Sequence, residues 1–112
     1  MNESDMEQYA ILPEDKLAEL AQNGYDEAFD ELVNRYEQRL YQMALAILSS
    51  SHKAEKSVLE TLKKARENLH EYNGESLLLT WLYRRLQKYI LTHYEMPHDG
   101  LPARERILTN KE

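Results

Sequence analysis

Apolar residues recur along this chain at steps of three and four, the period of an α-helix. The first such run is short. Pro13, Glu14 and Asp15 precede Leu17, Leu20 and Ala21, and Gly24 follows. Proline in a first turn, acids beside it and glycine after the last turn are start and stop signals for one helix. A second helix opens near Asp26. Its stripe of Phe29, Leu32, Val33, Tyr36, Leu40, Met43, Ala44, Ile47 and Leu48 runs to the Ser49-Ser50-Ser51 run. Those serines end it and offer an N-cap for a third helix. The third helix sets Ala54, Val58, Leu62, Ala65 and Leu69 on one face, and Lys53, Lys56, Lys63, Lys64 and Arg66 on the other.

The Asn73-Gly74 pair marks a turn over residues 70–75. Neither flank alternates as a strand would, so a hairpin is not expected. A fourth helix is predicted from about Ser76 to Tyr94, with Leu78, Trp81, Leu82, Leu86, Tyr89, Ile90 and His93 at helical spacing. Pro97, Gly100 and Pro102 stop it, and Ala103–Glu112 has the pattern of one weak helical turn. The expected architecture is all-α, a compact bundle of about four helices. Residues 1–13 form an acidic N-terminal segment, 14–94 the helical domain, and 95–112 a flexible tail. A chain of 112 residues fits one such domain.

Composition narrows the function classes. There is no cysteine, so no disulfide or thiolate metal site, and the reducing cytoplasm is the expected setting. The acidic start lacks the basic and apolar regions of a signal peptide. The longest apolar run, Ala44–Ile47, is far short of a membrane span. No Gly-rich phosphate loop, HExxH or nucleophile elbow occurs, and His52, His70, His93 and His98 offer no pair at ligand spacing. No enzyme, metal or cofactor is expected.

The formal charge of −6 hides an asymmetry. Residues 1–37 hold eleven acids against two bases, residues 38–94 hold five against nine, and residues 95–112 hold four against three. An acidic first third on a basic middle points to two partners, or to one partner with two faces.

Two segments carry a more specific signal. Residues 16–41 contain Gly24, Ala28, Phe29, Leu32, Arg35 and Tyr36. Residues 74–84 contain Gly74, Glu75, Ser76, Thr80, Trp81, Leu82, Tyr83 and Arg84. In this order and spacing the chain resembles region 2 of an extracytoplasmic-function sigma factor of the sigma-70 family. The resemblance covers about residues 16–94 and implies that family's small helical fold. It also implies two jobs. One face of the third helix docks on the clamp helices of the largest RNA polymerase subunit. The fourth helix, with the loop before it, captures the opened −10 promoter strand.

Residue by residue, Glu55 and Glu60 match the polymerase-binding pattern. Lys53 and Lys56 stand where the family is acidic, and Leu59 replaces a glutamine. On the DNA side, Thr80, Trp81, Arg84 and Arg85 match, and Lys88 adds charge where the family has an asparagine. Leu79 and Thr92 replace a basic residue and an aspartate, and Glu95 and Met96 stand in place of trailing arginines. Trp81, Tyr83 and Tyr89 also read as ordinary core aromatics. The 112 residues suffice for region 2 and no more, so a module without the family's second domain, region 4, which reads the −35 element, is expected.

The first functional reading is a degenerate region 2 module, a negative effector of extracytoplasmic-function transcription. It would bind the clamp helices, a sigma factor or an anti-sigma factor. The alternative is the DNA-binding and polymerase-binding subunit of a split sigma factor, with promoter DNA as partner. A third reading is a generic helical interaction module, including a homodimer.

Overall fold

Each helix begins and ends where its local chemistry dictates. The computed structural model describes residues 8–94. The expectations for the tail at 95–112, including His98, and for residues 1–7 lie outside the described residues. Helix α1 spans Glu14–Gln22, α2 Asp26–Leu48, α3 Ser51–Glu67 and α4 Leu78–His93. No strand occurs among the described residues, and the fold is the all-α bundle that the periodicity implies. None of these helices is long and apolar enough to cross a membrane.

Gly24 does what its position predicts. Its φ is +97°. The amide of Gly24 donates to Ala21 O at 3.1 Å and that of Tyr25 to Leu20 O at 3.1 Å. This pair of bonds is a Schellman closure, which requires a left-handed residue and so favours glycine. Between α2 and α3 the chain turns in two residues. Ser49 is left-handed at φ +55°. Ser50 is extended, and its Oγ accepts from the Lys53 amide at 3.2 Å.

The connection to α4 differs from the expected plain turn. Leu69–Glu71 form a 3₁₀ turn. Gln22 Nε2 donates to Leu69 O at 3.0 Å and to Tyr72 O at 2.7 Å, pinning this connection to α1. The Tyr72 hydroxyl donates to Ser76 O at 2.5 Å. These bonds hold Ser76 outside the helix, so α4 starts two residues later than the pattern suggested.

The core forms where the stripes meet. Leu17, Phe29, Leu32, Leu40, Ala54, Val58, Leu62, Leu82, Leu86 and Ile90 are all buried together. Helix α2 packs on α1, α3 and α4, and α3 packs on α2 and α4. Each fully buried leucine contributes about 1.5–3 kcal/mol of burial, which sets α3 firmly between its two neighbours. His93 is the exception in the α4 stripe. It is exposed, and its ring stacks on Tyr89 with centroids 4.0 Å apart.

Part of the N-terminal segment belongs to the bundle. Residues 8–10 make a helical turn. The Arg35 guanidinium donates to Ala10 O at 3.1 Å and Leu12 O at 2.6 Å, and its Nε donates to Glu31 at 3.0 Å. The match of Arg35 to the family pattern therefore falls on a residue that clamps the chain ahead of α1.

Candidate nucleic-acid and polymerase interfaces

Helix α3 divides the exposed surface into two grooves of opposite charge. On one side it faces α4. This groove has a volume of about 440 Å³ and is walled by Trp81, Arg84, Arg85 and Lys88 of α4 and by Lys64 of α3. Trp81, Arg85 and Lys88 are spaced by four and three residues, so one stripe of α4 turns toward α3. Four of the five residues expected to contact DNA are thus brought together. Thr80 is half-buried and is not part of the groove wall. No acidic side chain lines the groove among the described residues.

Trp81 belongs both to the core and to the groove. It packs half-buried against the core and also forms part of the wall. Its ring lies 5.6 Å from that of Tyr72, tilted by 54°. The Arg85 guanidinium sits 5.0 Å from the Trp81 centroid and bonds Glu71 at 3.4 Å. A cation over an indole in this way is an attractive contact. It also means that Arg85 already has a carboxylate and a ring, whereas Arg84 and Lys88 are exposed without an acid partner among the described residues. Tyr83 is half-buried against the core. Leu79 likewise packs half-buried against the core and offers no charge at the start of α4.

The groove contains residues that the sequence did not single out. Thr61 lines it at 3% exposure. Its Oγ1 is buried with no hydrogen-bond partner. The sequence signal was a hydroxyl on the mostly apolar face of α3, which also carries the buried Ser57. Tyr89 stands at the far end, its phenol pushed up by burial and by the nearby Tyr94 and Glu60.

On its other side α3 faces α2. This second groove has a volume of about 670 Å³ and includes Glu37, Glu60, Lys63, Glu67 and Leu59. It continues past Glu55 toward Tyr41 and Gln38. Glu55, Leu59 and Glu60, the positions compared with the polymerase-binding pattern, therefore share one surface. Leu59 is 68% exposed, an apolar side chain standing among acids. Arg66 offers little free charge here. It bonds Asp30 at 2.6 Å, pairs with Asp26 at 3.5 Å, and covers the Phe29 ring at 4.5 Å.

Lys53 and Lys56 do not act as one cluster. The Lys53 ammonium lies 5.5 Å from the Tyr94 ring centroid, turned to the end of α4. Lys56 is exposed and has no acid or ring partner among the described residues. Their three-residue spacing made them look equivalent, but the packing of α4 claims only the first.

No protein family model matches the chain. Curated proteins do resemble part of it. The RNA polymerase sigma-H factor of Pseudomonas aeruginosa is 32% identical over 69 residues, 62% of this chain and 36% of that protein. The ECF RNA polymerase sigma factor SigW of Bacillus subtilis is 31% identical over 61 residues, 54% of this chain and 33% of that protein. The chain spans about a third of the length of these relatives. Over those residues it is similar to sigma factors.

Proposed function

We propose that this chain works in transcription initiation as a sigma region 2-like binding module, with no catalytic role. The module comprises residues 14–94, and its setting is the bacterial cytoplasm. More specifically, it acts as a negative effector of an extracytoplasmic-function sigma factor. Its partners are the clamp helices of the RNA polymerase largest subunit, a sigma factor or an anti-sigma factor. The likeness to two sigma factors supports the family-level role.

The observation that carries the finer reading is Lys56. It stands exposed on α3 close to Glu55, Leu59 and Glu60, where the look-alike pattern is acidic. Couplings between close charges at interfaces reach about 1.5 kcal/mol and more, so one reversal weakens ordinary docking by about tenfold or more. The test is binding to the isolated clamp coiled coil of the polymerase largest subunit. Lys56→Asp should strengthen it about tenfold, and Lys53→Asp, tied to Tyr94, should change it little. A native chain that binds the clamp as tightly as an authentic sigma factor, or captures no sigma or anti-sigma protein, sinks the reading.

The cationic α3/α4 groove favours one second reading, a promoter-binding subunit of a split sigma factor. Lys64, Arg84 and Lys88 would then hold strand phosphates. Three phosphate contacts on a single strand predict a slope of roughly −2 in log affinity against log salt. A salt-insensitive or absent response to −10 strand DNA, with polymerase and partner present, removes it.

A further inference from the structure

We propose that the groove between α3 and α4 binds a nucleoside polyphosphate as a free small molecule. The site is distinct in kind from a protein-docking surface. Its volume of about 440 Å³ falls in the range of small-ligand sites. Its charge comes from both walls: Lys64 on α3 faces Arg84 and Lys88 on α4. None of the three has an acid partner among the described residues, and like charges at the spacing of Arg84 and Lys88 repel each other on a helix. An anion held between them removes that repulsion.

The floor supplies the second observation. Thr61 is 3% exposed, and its Oγ1 finds no hydrogen-bond partner. Buried hydroxyls are nearly always paired, because leaving one unpaired costs free energy. Thr61 lines the base of this cationic groove, and a χ1 rotation that turns its unpaired hydroxyl outward would give it a ligand oxygen as partner. Trp81 and Tyr89 complete the site with apolar, aromatic surface. Polyanion-binding cations, one neutral donor and an aromatic wall together match a phosphate chain joined to a base. A long acidic peptide would use the cations but has no need of the deep hydroxyl.

Trp81 is the chain's single tryptophan, so its fluorescence reports the site directly. The full chain is titrated with ATP, with adenosine, with inorganic pyrophosphate and with a single-stranded oligonucleotide. Saturable quenching by ATP is expected, with no response to adenosine and a weaker one to pyrophosphate. Lys88→Glu should weaken ATP by about tenfold or more, as removing and reversing a charge at a close contact does. Thr61→Val should weaken ATP severalfold while the melting temperature stays equal or rises, because the unpaired hydroxyl is gone. A purely structural threonine would show the stability change without the affinity change.

The absence of saturable ATP binding, by fluorescence and by calorimetry alike, overturns the proposal. So does binding of the oligonucleotide alone, or ATP affinity untouched by both substitutions. Pyrophosphate binding as tight as ATP overturns the nucleoside part. The proposal does not rest on the negative-effector reading, which is tested by binding to the clamp coiled coil; it shares its groove with the promoter-strand reading, and the oligonucleotide arm of the titration separates those two.

Discussion

The Glu14 carboxylate accepts the backbone N–H of Leu78 at 2.7 Å, across sixty-four residues of sequence. Its other oxygen accepts the Tyr36 hydroxyl. One side chain at the start of α1 therefore caps the start of α4 and grips the middle of α2. Leu77 is the N-cap residue of α4 and has no side-chain cap of its own, so Glu14 takes that role from a distance. A carboxylate at a helix N-terminus also meets the positive end of its dipole. Glu14→Ala removes both bonds and should cost about 2–3 kcal/mol, the sum of a lost cap and a lost charge-assisted bond. Urea denaturation with an unchanged slope checks it. A loss under about 0.5 kcal/mol would show that water replaces Glu14 without penalty.

The same contact sets an alkaline limit. Burial, then the hydrogen bond and charge of Glu14, push the Tyr36 phenol up to about 12 from its ordinary 10, against the smaller opposing pull of Arg35 and Arg39. A pKa raised in the folded state means that the fold prefers the neutral phenol. The stabilisation is complete below pH 10 and is lost as pH rises from there toward 12. Burial raises Tyr72 and Tyr89 in the same direction. Denaturant midpoints should therefore hold steady from neutral pH and fall above about pH 10. Tyr36→Phe should flatten that fall. An equally steep decline in the variant would place the titration elsewhere.

What could be read in the sequence was local. The Pro13-to-Gly24 punctuation, the Ser50 cap and the four stripes are each decided within a turn or two of chain, and the helices follow them. What could not be read was which helix neighbours which. Glu14 looked like one first-turn acid among several, yet its partner is an amide on α4. Arg35 looked like a motif letter, and its work is to hold carbonyls ahead of α1. Lys53 and Lys56 share a spacing, but only α4's position separates them. The candidate site divides the same way. The family resemblance singled out Trp81, Arg85 and Lys88, and only packing against α3 added Lys64 and the unpaired Thr61.

The two-residue turn at Ser49 and Ser50 gives a pair of opposite expectations. Ser49 is held at φ +55°, a left-handed conformation that disfavours any residue with a Cβ. Ser49→Gly should stabilise by roughly 0.5 kcal/mol, the relief of that strain less the added freedom of the unfolded chain. Ser50 uses its Oγ to cap α3, so Ser50→Ala should destabilise by about 1 kcal/mol. Thermal melts of the two single variants and the double variant check this. Matching signs for the two single changes would contradict the turn geometry.

Arg35 and Glu31 offer the sharpest test of how the N-terminal segment is held. Glu31 is 7% exposed, and among the described residues Arg35 is its ion-pair partner, at 3.0 Å. Arg35→Ala leaves a nearly buried carboxylate unpaired and releases the carbonyls of Ala10 and Leu12 together. The expected cost is about 2–4 kcal/mol, because the stranded acid adds to the lost bonds. Arg35→Lys keeps the charge but not the planar fork that reaches Glu31 and the two carbonyls at once, so it should recover less than half of the loss. Hydrogen exchange separates the two effects. In both variants amides around Leu12 should exchange faster, while those in the middle of α3 should slow or quicken only with global stability. If the loss in Arg35→Ala appeared as a uniform rise in exchange across the bundle, with nothing selective near Leu12, the clamp ahead of α1 would have no separate existence.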